Sequence, residues 1–198
     1  MTQPVRAIKA IQSHSLAKRA VFEPIENYPF LAPLRENWRD VRAELDALGD
    51  GGFMAWPERD IYAGDWSVFP FYKFGERLAP TCAACPDTAA LIEAVPGMVT
   101  AGFSRMAPGT HITPHHGYTG AVLRFHLGLT GAEDCGLRVG AETRGWHPGS
   151  AFVFDDTQEH EAWNRGPAVR TVLLLDFKRT PDAVVEVPPH LRDVTVGG

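Results

Sequence analysis

The sequence has no hydrophobic run that approaches the roughly 18 residues of a membrane-spanning helix, so we expect no membrane span. It also has no excess of basic residues. The net charge of -5 at pH 7 argues against a nucleic-acid partner, because binding to phosphates requires a positive field. Internal repeats and low-complexity tracts are missing as well. The remaining composition, 198 residues of which 44% are hydrophobic and 22% charged, is typical of one globular domain.

Cysteine is scarce, with only Cys82, Cys85 and Cys135. An odd number of cysteines, without the pattern of a secretory signal, predicts reduced thiols and a cytoplasmic location. Cys82 and Cys85 form a C-x-x-C pair, which can be a redox motif or half of a zinc site. Because no second pair follows, we favour the interpretation that both are small packed residues.

Acidic residues are missing from the first 22 residues, which carry four basic ones. We interpret residues 1–22 as a solvated N-terminal arm, and a weak targeting or anion-binding function is the alternative. The main domain is expected over residues 23–178. Residues 179–198 are rich in proline and glycine and are expected to form a C-terminal tail that wraps the surface.

Two helices are predicted before the middle of the chain. Apolar residues recur at intervals of three and four between Leu34 and Leu48, which predicts an amphipathic helix that ends at Gly49. Its charged face is expected to be solvated. A shorter helix is predicted over residues 86–95, with Asp87 or Thr88 as its N-cap.

Short strand-like segments separated by turn signals make up the rest of the domain. Residues 66–74 form an aromatic example in which Pro70 indicates an edge or a bulge. After Gly97, six more strands are predicted over residues 99–106, 121–129, 136–139, 151–154, 161–163 and 169–177. This number and spacing of strands predict an antiparallel sandwich or jelly roll.

Two of these strands carry charged residues that call for an explanation. In the strand over 121–129, Arg124 and His126 share the face opposite the apolar residues. From this segment alone we favour a solvated face, with the mouth of a barrel as the alternative. The strand over 169–177 is apolar on both faces and is therefore expected to be covered on both sides. Arg170 must then lie at a rim or be buried with an anion, because an unpaired buried guanidinium is too costly.

Histidine spacing gives a weak indication of a metal site. Two imidazoles and a carboxylate form the facial triad of Fe(II) oxygenases, usually as His-x-Asp followed much later by a second His. His115 and His160 have a suitable separation, but Gly117 stands where the acidic residue is expected. His116 could replace His115, since adjacent strand residues point to opposite faces. The other histidines are His111, which we leave unassigned, His147, which is expected to be exposed, and His14 and His190, which lie in the predicted tails.

Several short motifs occur together in one order. They are Gly64-Asp65-Trp66, Met106 to His111, Pro114-His115, Leu123 to Leu129, Phe154-Asp155-Asp156, Glu159-His160-Glu161 and Arg170. With Ser104, this arrangement resembles the aspartyl/asparaginyl β-hydroxylase family of Fe(II)- and 2-oxoglutarate-dependent oxygenases. The resemblance covers residues 27–178, about three-quarters of the chain. It implies a mainly β fold with flanking helices, namely a double-stranded β-helix or cupin-like jelly roll.

The resemblance also implies roles for particular residues. His115 and His160 look like the two iron ligands, and no catalytic residue is implied beyond the metal centre. Five further positions are similar to those that hold 2-oxoglutarate: Arg124 and His126 at its metal-proximal carboxylate, Ser104 and Arg170 at its distal carboxylate, and Trp66 as a wall. Gly117 fits because some members of the family lack the acidic ligand and have water instead. Asp155, Asp156 and Glu159 are candidates for orienting the ligand imidazoles, and exposed turn residues are the alternative.

The activity implied is hydroxylation of a C–H bond with O2, with release of succinate and CO2. The substrate would be an amino acid or another small molecule, a carrier-tethered aminoacyl group, a peptide or a lipid precursor. Two alternatives remain open. The small residue at Gly117 would allow a halide to enter and the enzyme to halogenate, and the domain could instead bind 2-oxoglutarate without turnover. The resemblance makes no prediction about the oligomeric state.

Overall fold

The computed structural model describes residues 20–131 and 133–192, so most of the predicted N-terminal arm and the last six residues lie outside the described residues. The strands, in chain order, are β1 (Phe22–Glu23), β2 (Met54–Ala55), β3 (Tyr62–Ala63), β4 (Trp66–Lys73), β5 (Glu76–Arg77), β6 (Met98–Met106), β7 (His111–His115), β8 (Val122–Gly128), β9 (Cys135–Val139), β10 (Glu142–Arg144), β11 (Ala151–Phe154), β12 (His160–Asn164) and β13 (Arg170–Lys178). The helices are α1 (Ala32–Glu36), α2 (Trp38–Leu48), α3 (Ala79–Ala84), α4 (Pro86–Glu93) and α5 (Pro189–Arg192). Short 3-10 turns cover Ile25–Asn27, Pro29–Leu31 and Arg59–Ile61.

The strands form two antiparallel sheets. The larger sheet has eight strands in the order β1-β11-β8-β13-β6-β4-β2, and β5 pairs with β4. The smaller sheet has five strands in the order β10-β9-β12-β7-β3. Neighbouring strands in space are mostly far apart in sequence, as in a jelly roll. The fold is therefore a mainly β, cupin-like double-stranded β-helix with flanking helices, and the predicted fold class is confirmed.

Apolar residues cover both faces of the larger sheet. One face packs against α1 to α4 through side chains such as Phe103, Phe125 and Leu175. The other face looks into the barrel and packs against the smaller sheet, through residues that include Val172 and Leu174. β13 is buried along its whole length except at its last residue, as predicted. The solvated face favoured for β8 is wrong, because that face lines the barrel interior.

The long amphipathic helix is divided in two at Asn37, which corrects the prediction of one continuous helix. Asn37 adopts φ -99° and ψ 21° between α1 and α2, and its side-chain amide donates to the carbonyl of Pro33 at 2.8 Å. This hydrogen bond competes with the regular helical pattern. Gly49 ends α2 with a φ of 58°, a left-handed value that favours glycine, in agreement with the predicted helix end.

The cap of α4 comes from another helix. The helix begins at Pro86, and neither Asp87 nor Thr88 provides a side-chain cap, so that prediction is wrong. Instead the Glu44 carboxylate on α2 accepts hydrogen bonds from the backbone N–H groups of Asp87 and Thr88, at 2.9 and 2.8 Å. Glu44 thus satisfies two donors at the helix start that would otherwise lack partners.

The C-x-x-C pair is a packing feature. Cys82 lies in α3 and Cys85 directly precedes α4, both are buried, and all three cysteines are free. Burial raises the pKa of the Cys85 thiol to about 12, so its reactive thiolate is scarce at neutral pH. A bulge at Pro70 in the pairing of β4 with β6 agrees with the role expected for that proline. Of the helices in the described part of the chain, none is long and apolar enough to cross a membrane.

Candidate metal centre and anion pocket

Two histidines face each other at one end of the two neighbouring strands β7 and β12 in the smaller sheet. His115 is the last residue of β7 and His160 the first of β12, and the two are direct partners in the antiparallel pairing. Their ring centroids are 4.1 Å apart at an interplanar angle of 50°. The register shifts just after His160. Strand pairing thus brings together the histidines that the sequence predicts as iron ligands, which we call the histidine pair.

Both rings are oriented by backbone carbonyl groups. Nδ1 of His115 lies 2.7 Å from the carbonyl oxygen of Thr113, and Nδ1 of His160 lies 2.9 Å from that of Gln158. A carbonyl oxygen only accepts, so Nδ1 carries the proton in each ring and Nε2 keeps the lone pair that a metal ion needs. Burial lowers the pKa of both rings, and with the neighbouring His115 it brings that of His160 to about 3.

The acidic residues expected to orient these imidazoles have other partners, which corrects that interpretation. Asp155 accepts hydrogen bonds from Thr157 and pairs with Arg179 at 2.7 Å. Glu159 pairs with Arg138 on the outer face of the smaller sheet. Asp156 lies near the histidine pair but bonds to Arg124. A carbonyl two residues before each histidine does the orienting instead.

The remaining histidines of the described chain lie outside this arrangement. His116 is exposed, although it borders the cavity described below. His111 is at 3.0 Å from Glu161, and His147 is exposed in its turn, as expected. Of the adjacent residues His115 and His116, the former is thus the one whose ring meets His160.

Asp156 occupies the space beside Gly117. A Cβ atom built on Gly117 would clash with all three atoms of the Asp156 carboxyl group. The backbone N–H of Gly117 also donates to the carbonyl of Asp156 at 2.7 Å. The carboxyl group that a His-x-Asp motif would supply from position 117 is therefore replaced by one from position 156. The sequence does not indicate a carboxylate at this place, because Asp156 comes from a segment distant from Gly117 in the chain.

Asp156 belongs to a buried charge network. Arg124 donates two hydrogen bonds to Asp176, at 2.7 and 2.9 Å, and its guanidinium lies 3.3 Å from Asp156. Burial raises the pKa of Asp156 to about 6, and the opposing influence of Arg124 only partly offsets it. The guanidinium of Arg124 is thus bound to protein carboxylates, while its role toward 2-oxoglutarate stays a prediction.

Arg170 is buried without an acidic partner among the described residues. Its side chain is 2% exposed, and Nε has no hydrogen-bond partner. The two terminal nitrogens donate to the carbonyl of Ser104, at 3.4 Å, and to the Met106 sulfur, and the guanidinium carbon lies 4.2 Å from the ring centroid of Trp146. Burial lowers the pKa of Arg170 to about 10, so it still carries a charge at neutral pH. A charge in this setting requires an anion.

Other polar atoms without partners surround this guanidinium. Both ring nitrogens of His126 and Nε1 of Trp146 are buried and have no hydrogen-bond partner within residues 20–131 and 133–192. The centroids of these two rings are 5.9 Å apart. Together with Ser104 and Arg170, these residues form what we call the anion pocket. Burial, followed by the charge of Arg170, holds the pKa of His126 well below its usual range. The sequence does not indicate Trp146 as a residue of this pocket, because it lies in a segment that carries turn signals.

Trp66 separates the anion pocket from an outer cavity. Its Nε1 donates to Oγ of Ser104 at 2.9 Å, and its ring stacks on Trp56 at a centroid distance of 4.2 Å. The cavity, with a volume of about 290 Å³, is bordered by Trp66, His115 and Asp156 among others. It reaches His115 of the histidine pair. Tyr118 also lines it, and its buried hydroxyl has no hydrogen-bond partner in the described part of the chain.

The donor set fits a metal ion that shares its coordination with other molecules. Within the described ranges, no group of three or more His, Cys, Asp or Glu side chains is arranged to hold an ion. An ion bound by the two Nε2 atoms would therefore keep several positions for water or for a bidentate ligand. Imidazole ligands suit iron, and the unpaired polar atoms of the anion pocket suit the far end of an anionic ligand.

These features define a class of protein, a cupin-like jelly roll with a histidine pair beside a cationic pocket. The solved structures that resemble it include a predicted oxalate decarboxylase from Thermotoga maritima. The TM-score is 0.44 and the sequence identity 11%, over 64% of this chain and 91% of that one. A Cupin_2 domain of a transcriptional regulator from Enterobacter cloacae gives a TM-score of 0.42 and 13% identity over 58% and 98% of the two chains. The fold assignment itself stands on the order of the strands.

Sequence comparison gives the family. Residues 35–180 match the family model described as Aspartyl/Asparaginyl beta-hydroxylase, and the chain belongs to that family. It is 41% identical over 161 residues to an ornithine lipid ester-linked acyl 2-hydroxylase from Rhizobium tropici, covering 76% of this chain and 57% of that protein. It is 37% identical over 154 residues to human aspartyl/asparaginyl beta-hydroxylase, covering 72% of this chain and 20% of that protein. The match thus spans less than two-thirds of either relative, and both are named as hydroxylases.

Proposed function

We propose that this protein is an Fe(II)- and 2-oxoglutarate-dependent hydroxylase that inserts oxygen from O2 into a C–H bond and releases succinate and CO2. The observation that carries the proposal is the buried guanidinium of Arg170, which has no carboxylate partner among the described residues. It lies near His126, whose ring packs on Phe154, and Phe154 in turn contacts His160 of the histidine pair. A cation in that position is stabilised by a dicarboxylate whose other end reaches the metal. Membership of a family whose relatives are named hydroxylases supports the same reaction class.

Each residue of the pocket has a definite task in this proposal. His115 and His160 would hold the iron through Nε2, with Nδ1 fixed by backbone carbonyls. Arg170 would pair with the distal carboxylate, and Ser104, held by Trp66, would donate a further hydrogen bond. His126, neutral because of its lowered pKa, could donate one ring N–H to the co-substrate. Iron bound with 2-oxoglutarate would supply the oxidant for the C–H bond.

Arg124 and Asp156 would act next to the metal rather than at the distal carboxylate. Arg124 holds Asp156 at 3.3 Å, so the carboxylate stays beside Gly117. From there it can accept hydrogen bonds from water molecules that complete the coordination. Tyr118 keeps its proton, since burial and the nearby Asp176 raise its pKa, and it can donate to a substrate in the cavity.

Halogenation is disfavoured by the same carboxylate. A halide would need the space next to Gly117, which the Asp156 side chain fills. With a pKa of about 6, Asp156 is mainly ionised at neutral pH and would repel an anion in this buried setting. A binding module without turnover is not favoured either, because the relatives are named as enzymes.

The substrate in this proposal enters through the outer cavity. A volume of about 290 Å³ lies at the low end of small-molecule pockets, which suits an amino acid, a carrier-tethered aminoacyl group or one residue of a peptide. The human relative is named for aspartyl and asparaginyl residues and the Rhizobium relative for an acyl group. Three free thiols are consistent with the cytoplasmic location that we propose.

The test compares metal binding and turnover in three variants. We expect His115→Ala and His160→Ala each to lose Mn²⁺ binding, followed by electron paramagnetic resonance, and the Fe(II)-dependent conversion of 2-oxoglutarate to succinate, followed by NMR. The control is His147→Ala, because His147 is exposed and away from the pair. Full turnover in both ligand variants, or no succinate from the wild type with a broad panel of amino acids, aminoacyl carriers and peptides, would refute the proposal.

A further inference from the structure

The outer cavity has a wall that comes from the end of the chain. Leu191, in the four-residue helix α5, borders the cavity and is only 7% exposed. It lies beyond residue 180, where the match to the family model ends. We call residues 180–192 the C-terminal strap. An apolar side chain brought back from outside the matched domain into the cavity calls for a functional explanation.

The strap is fixed at both ends and makes few contacts between them. At its start, Arg179 pairs with Asp155 at 2.7 Å and its backbone N–H donates to Ala121 at 2.9 Å. At its end, Nζ of Lys73 donates to the carbonyl of Arg192 at 3.0 Å. Between these anchors the strap is largely exposed, and Val184 has 77% of its surface in solvent. The anchor on β4 thus holds the residue next to Leu191, which borders the cavity.

The lining of the cavity includes several apolar side chains besides Leu191. Leu191 shares the cavity with Val68, Pro70, Phe74 and Leu174. Charged side chains also border it, and each has a partner within the protein. Arg124 pairs with Asp156 and Asp176. Lys73 donates to the carbonyl of Arg192, and Glu58 accepts from Trp56. Apolar walls favour an apolar occupant, because each removes the surface of the other from water. The part of a substrate that lies against Leu191 is thus expected to be hydrocarbon.

We propose that the C-terminal strap forms a wall of the substrate cavity and that Leu191 limits the length of the apolar group that the cavity accepts. This inference rests on the proposed function for its meaning in catalysis, but the wall itself can be tested by binding alone. Its consequence is that the strap sets the preferred size of the substrate. Chains that share the matched domain can then differ in substrate through a segment beyond it.

The probe is a series of linear alcohols from butanol to decanol, added to the metal-free protein. Binding is followed by tryptophan fluorescence, since Trp56 and Trp66 line the cavity. Affinity should rise about fourfold with each added methylene until the chain reaches Leu191, and then stop rising. In Leu191→Ala the limit should move to longer alcohols, and in Leu191→Trp to shorter ones. Leu191→Met, which conserves volume, should keep the limit of the wild type.

Val184→Ala is the matched control on the same strap, because Val184 is exposed and does not border the cavity. It should leave the chain-length limit unchanged. The same limit in Leu191→Ala, Leu191→Trp and the wild type, or no alcohol binding in any of them, would overturn the inference. Succinate formation from 2-oxoglutarate is measured separately on the same wild-type preparation, after addition of Fe(II) and the panel of amino acids, aminoacyl carriers and peptides. Its absence refutes the proposed function, whereas a shifted alcohol limit would still support the wall.

Discussion

The carboxyl group of Asp156 fills the space that a side chain at Gly117 would need. The two residues also share a hydrogen bond, from the N–H of Gly117 to the carbonyl of Asp156 at 2.7 Å. The chain thus keeps an acidic group next to the histidine pair while the residue two positions after His115 has no side chain. Glycine is required here by space rather than by backbone conformation.

We therefore expect Gly117→Ala to destabilise the fold. The new methyl group must displace a buried carboxylate that pairs with Arg124, and overpacking of this kind costs about 1–3 kcal/mol. The measurement is the free energy of unfolding in urea. The double variant Gly117→Ala/Asp156→Gly should recover most of the loss, because the methyl group then has room.

Gly120→Ala is the control for this pair, since a Cβ atom there meets only a Thr157 methyl group at 3.9 Å. It should change the free energy of unfolding little. If Gly117→Ala proves as stable as Gly120→Ala, the tight packing of Asp156 against Gly117 is wrong.

Arg170→Met should lose the response to dicarboxylates without losing stability. The guanidinium is buried and has no carboxylate partner in the described residues, so an apolar side chain of similar length removes an uncompensated charge. We expect the free energy of unfolding to stay the same or rise. For the wild type, 2-oxoglutarate at about 100 times its Kd should add about 2.7 kcal/mol, and for the variant it should add nothing. Thermal unfolding with and without 2-oxoglutarate measures both effects.

Arg138→Met supplies the comparison, because Arg138 pairs with Glu159 and Glu161 on the outer face of the smaller sheet. This variant should lose up to about 1 kcal/mol and keep the full response to 2-oxoglutarate. An unchanged response in Arg170→Met would show that the anion pocket does not hold the dicarboxylate.

The sequence predicts the strands of the larger sheet better than the strand that carries His115. β6, β8, β11 and β13 were expected within a residue or two, since their apolar runs need no knowledge of their neighbours. β7 was not predicted. It contains Pro114 and has exposed residues at Thr113 and Pro114, so its strand form depends on pairing with β3 and β12 rather than on its own pattern.

The sequence also predicts the charged residues of the site only in part. The double-sided apolar pattern of β13 leaves Arg170 either at a rim or buried with an anion, and the structure places it in the interior. The partners of Arg124 do not follow, because Asp176 meets it only through the register of β8 with β13. Trp146 is buried beside Arg170 although its segment reads as a turn. Contacts between distant segments decide these positions.

His126 should make the metal-free protein sensitive to acid. Its pKa in the fold is held well below the usual range by burial and by the charge of Arg170, whereas the unfolded chain takes up a proton below about pH 6.5. The unfolded state then binds more protons, so stability falls as the pH decreases below that value. Each such group contributes a slope of about 1.4 kcal/mol per pH unit.

The variant His126→Phe should reduce that slope by about one proton, because phenylalanine does not titrate and can pack against Phe152 and Phe154. Urea unfolding of the metal-free protein between about pH 7.5 and about pH 5 measures the slope. His147→Phe is the control, since His147 is exposed. Equal slopes for His126→Phe and the wild type would mean that His126 titrates normally.

Glu44→Ala should weaken the start of α4, although Glu44 lies on α2. The carboxylate accepts hydrogen bonds from the backbone N–H groups of Asp87 and Thr88, and loss of a helix cap costs about 0.5–2 kcal/mol. Glu44→Gln, which keeps one acceptor oxygen, should lose less. Chemical unfolding measures the total loss of stability, and hydrogen exchange at the amides of Asp87 and Thr88 shows whether the loss lies at the start of α4. Glu36→Ala is the control because Glu36 is exposed on α1. Faster exchange at those two amides only in the Glu44 variants is the result expected, and equal exchange in all variants would show that α4 needs no cap from α2.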